Sequence, residues 1–168
     1  MNSISWIIFL GLALLLSGQA EAAATWSDDK RFKDNGDKTI TDTKTGLMWM
    51  KEDSYLHSGH WVNWFESIQF VKKMNEDGFA DQYDWQIPSV DQLTTLYEAD
   101  KINSKVLGRG MNIHIDSIFS KEGGASLWSI EENGYHNAFG VIFNTGKRFN
   151  SSKKSKFRKS FRAVRYSN

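Results

Sequence analysis

Residues 147–168 hold nine Lys and Arg and no Asp or Glu. Cations at that density do one kind of chemistry without a cofactor: they bind a polyanion by charge and release its counterions. Lys147, Arg148, Lys153, Lys154, Lys156, Arg158, Lys159 and Arg162 are the candidate ligand-binding residues. Arg165, three residues past the last of them, is expected to brace the fold internally. Residues 25–146 lean the other way, with 12 Lys and Arg against 19 Asp and Glu, a net −7. The whole-chain charge of +1 therefore hides two opposed fields. In "KFRKSFRAVR" a period of two puts Phe157, Phe161 and Ala163 on one face and Arg158 and Arg162 on the other. That alternation, with Phe149 nearby, predicts a cationic ridge on an ordered strand. The plainer reading is a solvated loop that only keeps the protein soluble.

Other chemistries find less support. His57-Ser-Gly-His60 has an H-x-x-H spacing, but zinc would need a third ligand, and His114 and His136 are isolated. Asp34, Asp37 and Asp42 lack the spacing of a calcium loop and suit turns. There is no H-E-x-x-H, G-x-S-x-G, phosphate-binding loop or dinucleotide fingerprint. No cysteine is present, which excludes thiolate zinc sites, cysteine nucleophiles and disulfides. No catalytic residue, metal ligand or cofactor is assigned, and the expectation is a non-enzyme. The seven Trp could stack on sugar rings, yet Trp49, Trp64, Trp85 and Trp128 lie in apolar runs that suit a core.

The elements that must position these residues follow from local patterns. Residues 1–24 read as a signal peptide: Trp6 to Leu16 is an apolar run, followed by Ala-x-Ala sites at 20–22 and 22–24. The stretch before the run carries no Lys or Arg, and an uncleaved anchor is the alternative. Export is the expectation, to the periplasm or the medium, with a single domain over residues 25–168. "RFKDNGDKTITDTKTGLMWMK" reads as a strand meander, with a two-residue hairpin at Asn35-Gly36 and a second turn at Lys44-Thr45-Gly46. "NWFESIQFVKKMNEDG" predicts a helix capped by Asn63 and Glu66 and closed by Gly78. A shorter helix follows Pro88, with Ser89 as cap, Gln92 at its third position, and Leu93, Leu96 and Tyr97 inward. Trp85, at the corner before it, is expected to pack on the first helix. Residues 99–126, rich in Gly, Asn and Ser, predict a long loop. "SLWSI", "NAFGVIFNTGKRF" and "FRKSFRAVRY" then predict strands, the middle one turning at Asn144-Thr145-Gly146. The order implies an α+β domain with two helices, a long loop region and paired terminal strands.

These motifs resemble, in sequence order, the Lcl C-terminal domain family, formerly the DUF1566 domain family, over most of residues 31–166. "DWQIPSVDQLTTLYE" is similar to the family's D-W-R-L-P-T-x-x-E-L signature, and "FRAVRY" to its closing x-R-x-V-R. "IDSIF", "LWS" and "AFGVIFNTGK" fall in the family's order between them. Gln86 stands where the signature has Arg, and Gln92 where it has Glu. Val71 and Ala163 stand where many members carry two cysteines. The resemblance implies a C-type lectin-like fold and an adhesion or binding role; the namesake is a collagen-like adhesin associated with sulfated glycosaminoglycans. Calcium-dependent lectins of that fold place carboxylates and carboxamides around a loop proline. Here the one proline leads through Ser89 and Val90 into a helix, so binding is expected to need no calcium.

The expected function is an exported binding module for sulfated or other anionic polysaccharide, held through the basic C-terminal face. The alternative is a periplasmic interaction or structural domain for an acidic protein or anionic lipid headgroups. Nucleic acid is not an expected partner of an exported chain.

Overall fold

The computed structural model describes residues 25–106 and 110–167, and the expected signal peptide lies outside them. Among these described residues the fold is α+β, with three α-helices and two main sheets. Strands β1 (Thr25–Trp26), β2 (Phe32–Asp34), β3 (Thr39–Asp42) and β4 (Leu47–Met50) form the opening meander. Turn chemistry places its three aspartates. Asp34 accepts from the Gly36 amide, Asp37 from the Thr39 amide and hydroxyl, and Asp42 from the Lys44 amide. The first turn is longer than the two-residue hairpin that Asn-Gly predicts. Asp34 faces Ile40 across the ladder, because Lys38 as well as Gly36 takes a positive φ.

Helix α1 (Ser54–Ser58) adds an element to the two helices that the sequence predicts. Its five residues carry no apolar period, and its start is set by the buried carboxylate of Asp53, which accepts from the Leu56 amide at 2.9 Å. Helix α2 (Trp64–Asp77) has the predicted reciprocal capping of Asn63 and Glu66 and ends at Gly78 in the left-handed region. It buries Trp64, Val71 and Met74, while Phe65 stays in water. Helix α3 (Val90–Leu96) repeats the device with Ser89 and Gln92 and buries Leu93 and Leu96. Gln92, standing where the family signature has Glu, thus still caps the helix.

Residues 99–126 are largely irregular but form no detached loop. They hold the short ribbon β5 (Ser104–Lys105) and β6 (Asn112–Ile113) and bury Val106, Ile113, Ile115 and Phe119 in the core. Buried Asn103 substitutes for regular structure by donating to the Asp116 and Phe119 carbonyls.

Strands β7 (Ser126–Asn133), β8 (Asn137–Ile142) and β9 (Lys147–Ser152) form the second meander, with β9 on its edge; β10 (Lys159–Ser160) adds parallel to β7. The chain then crosses to the first sheet, where β11 (Val164–Tyr166) pairs antiparallel with β4. The terminal strands therefore share a sheet without pairing to each other: β1 and β11 lie at its two ends, in the order β1-β2-β3-β4-β11. Trp49, Trp64, Trp85 and Trp128 are all buried. Among the described residues no helix is long and apolar enough to cross a membrane.

Candidate functional site

The eight candidate cations do not share one environment. Strand β9 brings Lys147 and Arg148 to the surface, where the Arg148 guanidinium lies 4.3 Å from the centre of the Phe139 ring. Lys154 and Arg158 follow in exposed turns. None of these four has an ion-pair partner among the described residues. Lys156 is exposed but pairs with Glu66 in the first turn of α2. Burial is the largest single influence and raises the Glu66 carboxyl, but that pairing and the Asn63 amide together outweigh it and hold it below its ordinary range.

The other three are structural. Lys153 is buried, pairs with Glu132, donates to the Tyr135 carbonyl at 3.2 Å and lies 4.8 Å from the Trp64 ring centre. Lys159 sits over Trp128 and Phe149, and burial lowers its pKa. Arg162 is only 4% exposed. Its Nη1 donates to the carbonyls of Met50, at 2.6 Å, and Lys51, and its carbon centre lies 4.8 Å from the middle of the Phe119 ring. Burial pushes its guanidinium down to about 10, still charged at neutral pH, with Asp53 and Glu52 opposing the shift.

The expected ridge of Arg158 and Arg162 on one strand face is thereby corrected. Strand pairing stops at Ser160 and resumes at Val164, so residues 161–163 cross between sheets and the period of two lapses. Phe157 ends 76% exposed in a turn, while Arg162 points inward with Phe161 and Ala163. Arg165 does brace the fold: its Nε donates to Asp84 at 2.6 Å, and that contact lowers the Asp84 pKa.

One acidic group could be mistaken for a metal centre. Carboxylate oxygens of Asp29, Glu98 and Asp116 lie within 4.8 Å of one another. The Lys101 ammonium fills their centre, 2.7, 2.6 and 2.6 Å from the three. Partial burial works against its charge, but its hydrogen bonds to the three carboxylates win and raise its pKa well above the ordinary lysine range. Lys101, Ser27 and the Arg31 amide together hold the Asp29 carboxyl far below its usual range. Arg31 extends the network by bridging Asp42 and Glu98. Lys101→Met should lower stability by about 2 kcal/mol, between the values for exposed and buried pairs. Because Asp29 is depressed in the folded state, its contribution is present above the unfolded carboxylate pKa near 4 and is lost as pH falls below it. Urea unfolding at neutral and acid pH should therefore show a shallower acid decline in Lys101→Met than in the wild type. Equal slopes would refute the assignment.

Beside the cationic turn, a groove of about 470 Å³ opens between the β7–β8 hairpin and the start of α2, lined by Trp64, Phe65, Glu132, Tyr135, His136, Ser152, Lys153 and Lys154. No motif in the sequence marks Tyr135 or Phe65 as a site residue. The one local signal was Asn133-Gly134 before Tyr135, a turn that must present the next side chain to water.

The family model of the Lcl C-terminal domain matches residues 38–165, from the first turn of the meander to the Arg165 brace. The chain belongs to the Lcl C-terminal domain family. A comparison with curated proteins finds no significant match. The Lcl C-terminal domain here thus includes every candidate cation and the whole groove, and it is built without a cysteine.

Proposed function

We propose that this Lcl C-terminal domain is an exported, non-catalytic binding module for sulfated or other anionic polysaccharide. The observation that carries the reading is the group of exposed cations Lys147, Arg148, Lys154 and Arg158, all without acidic partners among the described residues and all within one twelve-residue stretch. Strand β9 spans roughly 17 Å at the usual rise per residue, so these cations line a track rather than a point. At physiological salt the Debye length is about 8 Å, so each acts on its own part of a linear ligand. Lys156 can join by exchanging Glu66 for a ligand anion. Support for a C-type lectin-like reading of the fold comes from the closing strand joining the opening meander, with α2 and α3 between them in sequence. Support for export comes from the apolar run and Ala-x-Ala sites of residues 1–24.

The four-residue variant Lys147→Gln, Arg148→Gln, Lys154→Gln, Arg158→Gln tests the reading. It touches exposed side chains, so stability should hold within about 0.5 kcal/mol per site. Retention on heparin should fall, and the slope of log affinity against log salt should flatten by roughly 3. Elution at the wild-type salt concentration would end the polyanion reading. Retention by anionic lipid vesicles or an acidic protein, but not by heparin, would favour those partners instead.

A further inference from the structure

We infer that the groove between the β7–β8 hairpin tip and the start of α2 is a pyranose subsite selective for a hexuronate ring. The inference rests on the polysaccharide reading and adds a contact that charge alone does not provide. Tyr135 is 87% exposed and Phe65 46% exposed, and both line the same concavity over Trp64. Large aromatic rings are mostly withdrawn from water in a folded domain, and two displayed together around a groove mark a surface that something covers.

The tip is also held in place. The Lys153 amide donates to the His136 carbonyl at 2.9 Å, and its ammonium donates to the Tyr135 carbonyl and pairs with Glu132. The Lys153 carbonyl in turn accepts from the Trp64 amide at 3.0 Å. One lysine therefore ties the hairpin tip to the first turn of α2. Lys153 is a positioning residue, and the shape of the groove exists before any ligand arrives.

The lining selects the occupant. A volume of about 470 Å³ lies in the lower part of the range for small-ligand pockets, which suits one or two sugar rings. A pyranose presents an apolar face of polarised C–H groups, which suits the negative face of an aromatic ring. Its hydroxyls need donors and acceptors at the rim, which Glu132, Ser152 and His136 provide. Lys154 stands at the same rim without an ion-pair partner among the described residues, suited to the carboxylate that a uronate carries at C6. An apolar peptide side chain would use the rings and leave Ser152, His136 and Lys154 idle.

Cellobiose and cellobiuronic acid differ by one hydroxymethyl against one carboxylate and serve as probes. Tryptophan fluorescence titration, with Trp64 in the wall, should show both binding to the wild type and the uronate binding several-fold tighter. Tyr135→Ala, with an unchanged thermal midpoint because the side chain is exposed, should weaken both by about fivefold or more. Lys154→Gln should abolish the preference for the uronate and leave cellobiose unaffected. Wild-type protein that binds neither sugar, or Tyr135→Ala that binds both as wild type does, overturns the subsite. A preference surviving in Lys154→Gln overturns the uronate selectivity. A domain that ignores heparin yet binds cellobiuronic acid through Tyr135 would end the polyanion reading and leave the subsite standing.

Discussion

Trp85→Ala should lower the stability of the domain by about 3–5 kcal/mol, the range for truncating a large buried aromatic. The indole is 2% exposed and meets the Phe79 ring at 5.5 Å in an edge-on arrangement. Its Nε1 donates to the Phe79 carbonyl at 3.0 Å, so truncation also strands a carbonyl. The backbone is fixed just as closely, since Asn75 of α2 accepts from the Trp85 amide and donates to its carbonyl. Trp85 thus locks the corner before α3 onto the far end of α2. For a domain whose whole stability is about 5–15 kcal/mol, the midpoint should fall by about 10 °C or more. Urea unfolding followed by circular dichroism measures it. A loss below about 1 kcal/mol would mean that the ring carries little of the core.

Arg162→Ala should be nearly as damaging, at about 3–4 kcal/mol, although it lies in the segment read from sequence as a ligand face. The loss combines the charged donor to the Met50 and Lys51 carbonyls, of which Lys51 keeps the Ser120 amide, with the contact on Phe119 and the space left by a long side chain. Removing a desolvated guanidinium returns part of the loss, which is why the figure stays below the sum of its parts. Arg162→Lys should not restore stability, because the shorter stem leaves its ammonium short of the two carbonyls and without the planar group that packs on Phe119. Arg158→Ala is the internal control. Its side chain is exposed, so stability should change by less than about 0.5 kcal/mol while heparin retention weakens. If Arg162→Ala left stability intact and weakened heparin retention, the inward placement of Arg162 would be wrong.

What could be read in advance was local. Asn63, Glu66 and Gly78 mark both ends of α2 because capping involves residues within four positions of each other. Ser89 and Gln92 do the same for α3. The turn at Asn144-Thr145-Gly146 is equally self-contained, with the Gly146 amide returning to the Ile142 carbonyl at 2.8 Å. What escaped was set by distant partners. Arg162 is buried because Met50, 112 positions earlier, offers it a carbonyl where two sheets meet, and no period in "KFRKSFRAVR" encodes that crossing. Helix α1 starts at Asp53, whose carboxylate also takes the Gly124 amide and the Ser160 hydroxyl from far along the chain. The groove was invisible for the same reason: Phe65, Tyr135 and Lys154 come from a helix, a hairpin tip and a turn that only the tertiary fold brings together.

The position of residues 161–166 sets the order in which the molecule can form. Phe161 and Ala163 complete one apolar cluster and Val164 completes the other, while Arg165 reaches back 81 positions to Asp84. A chain emerging from its N-terminus therefore has neither cluster closed until residues 161–164 have been made. Long-range closure of this kind is slow, because the ends of a long loop must meet before any contact rewards them. Residues 161–166 act as the latch that closes both apolar clusters at once.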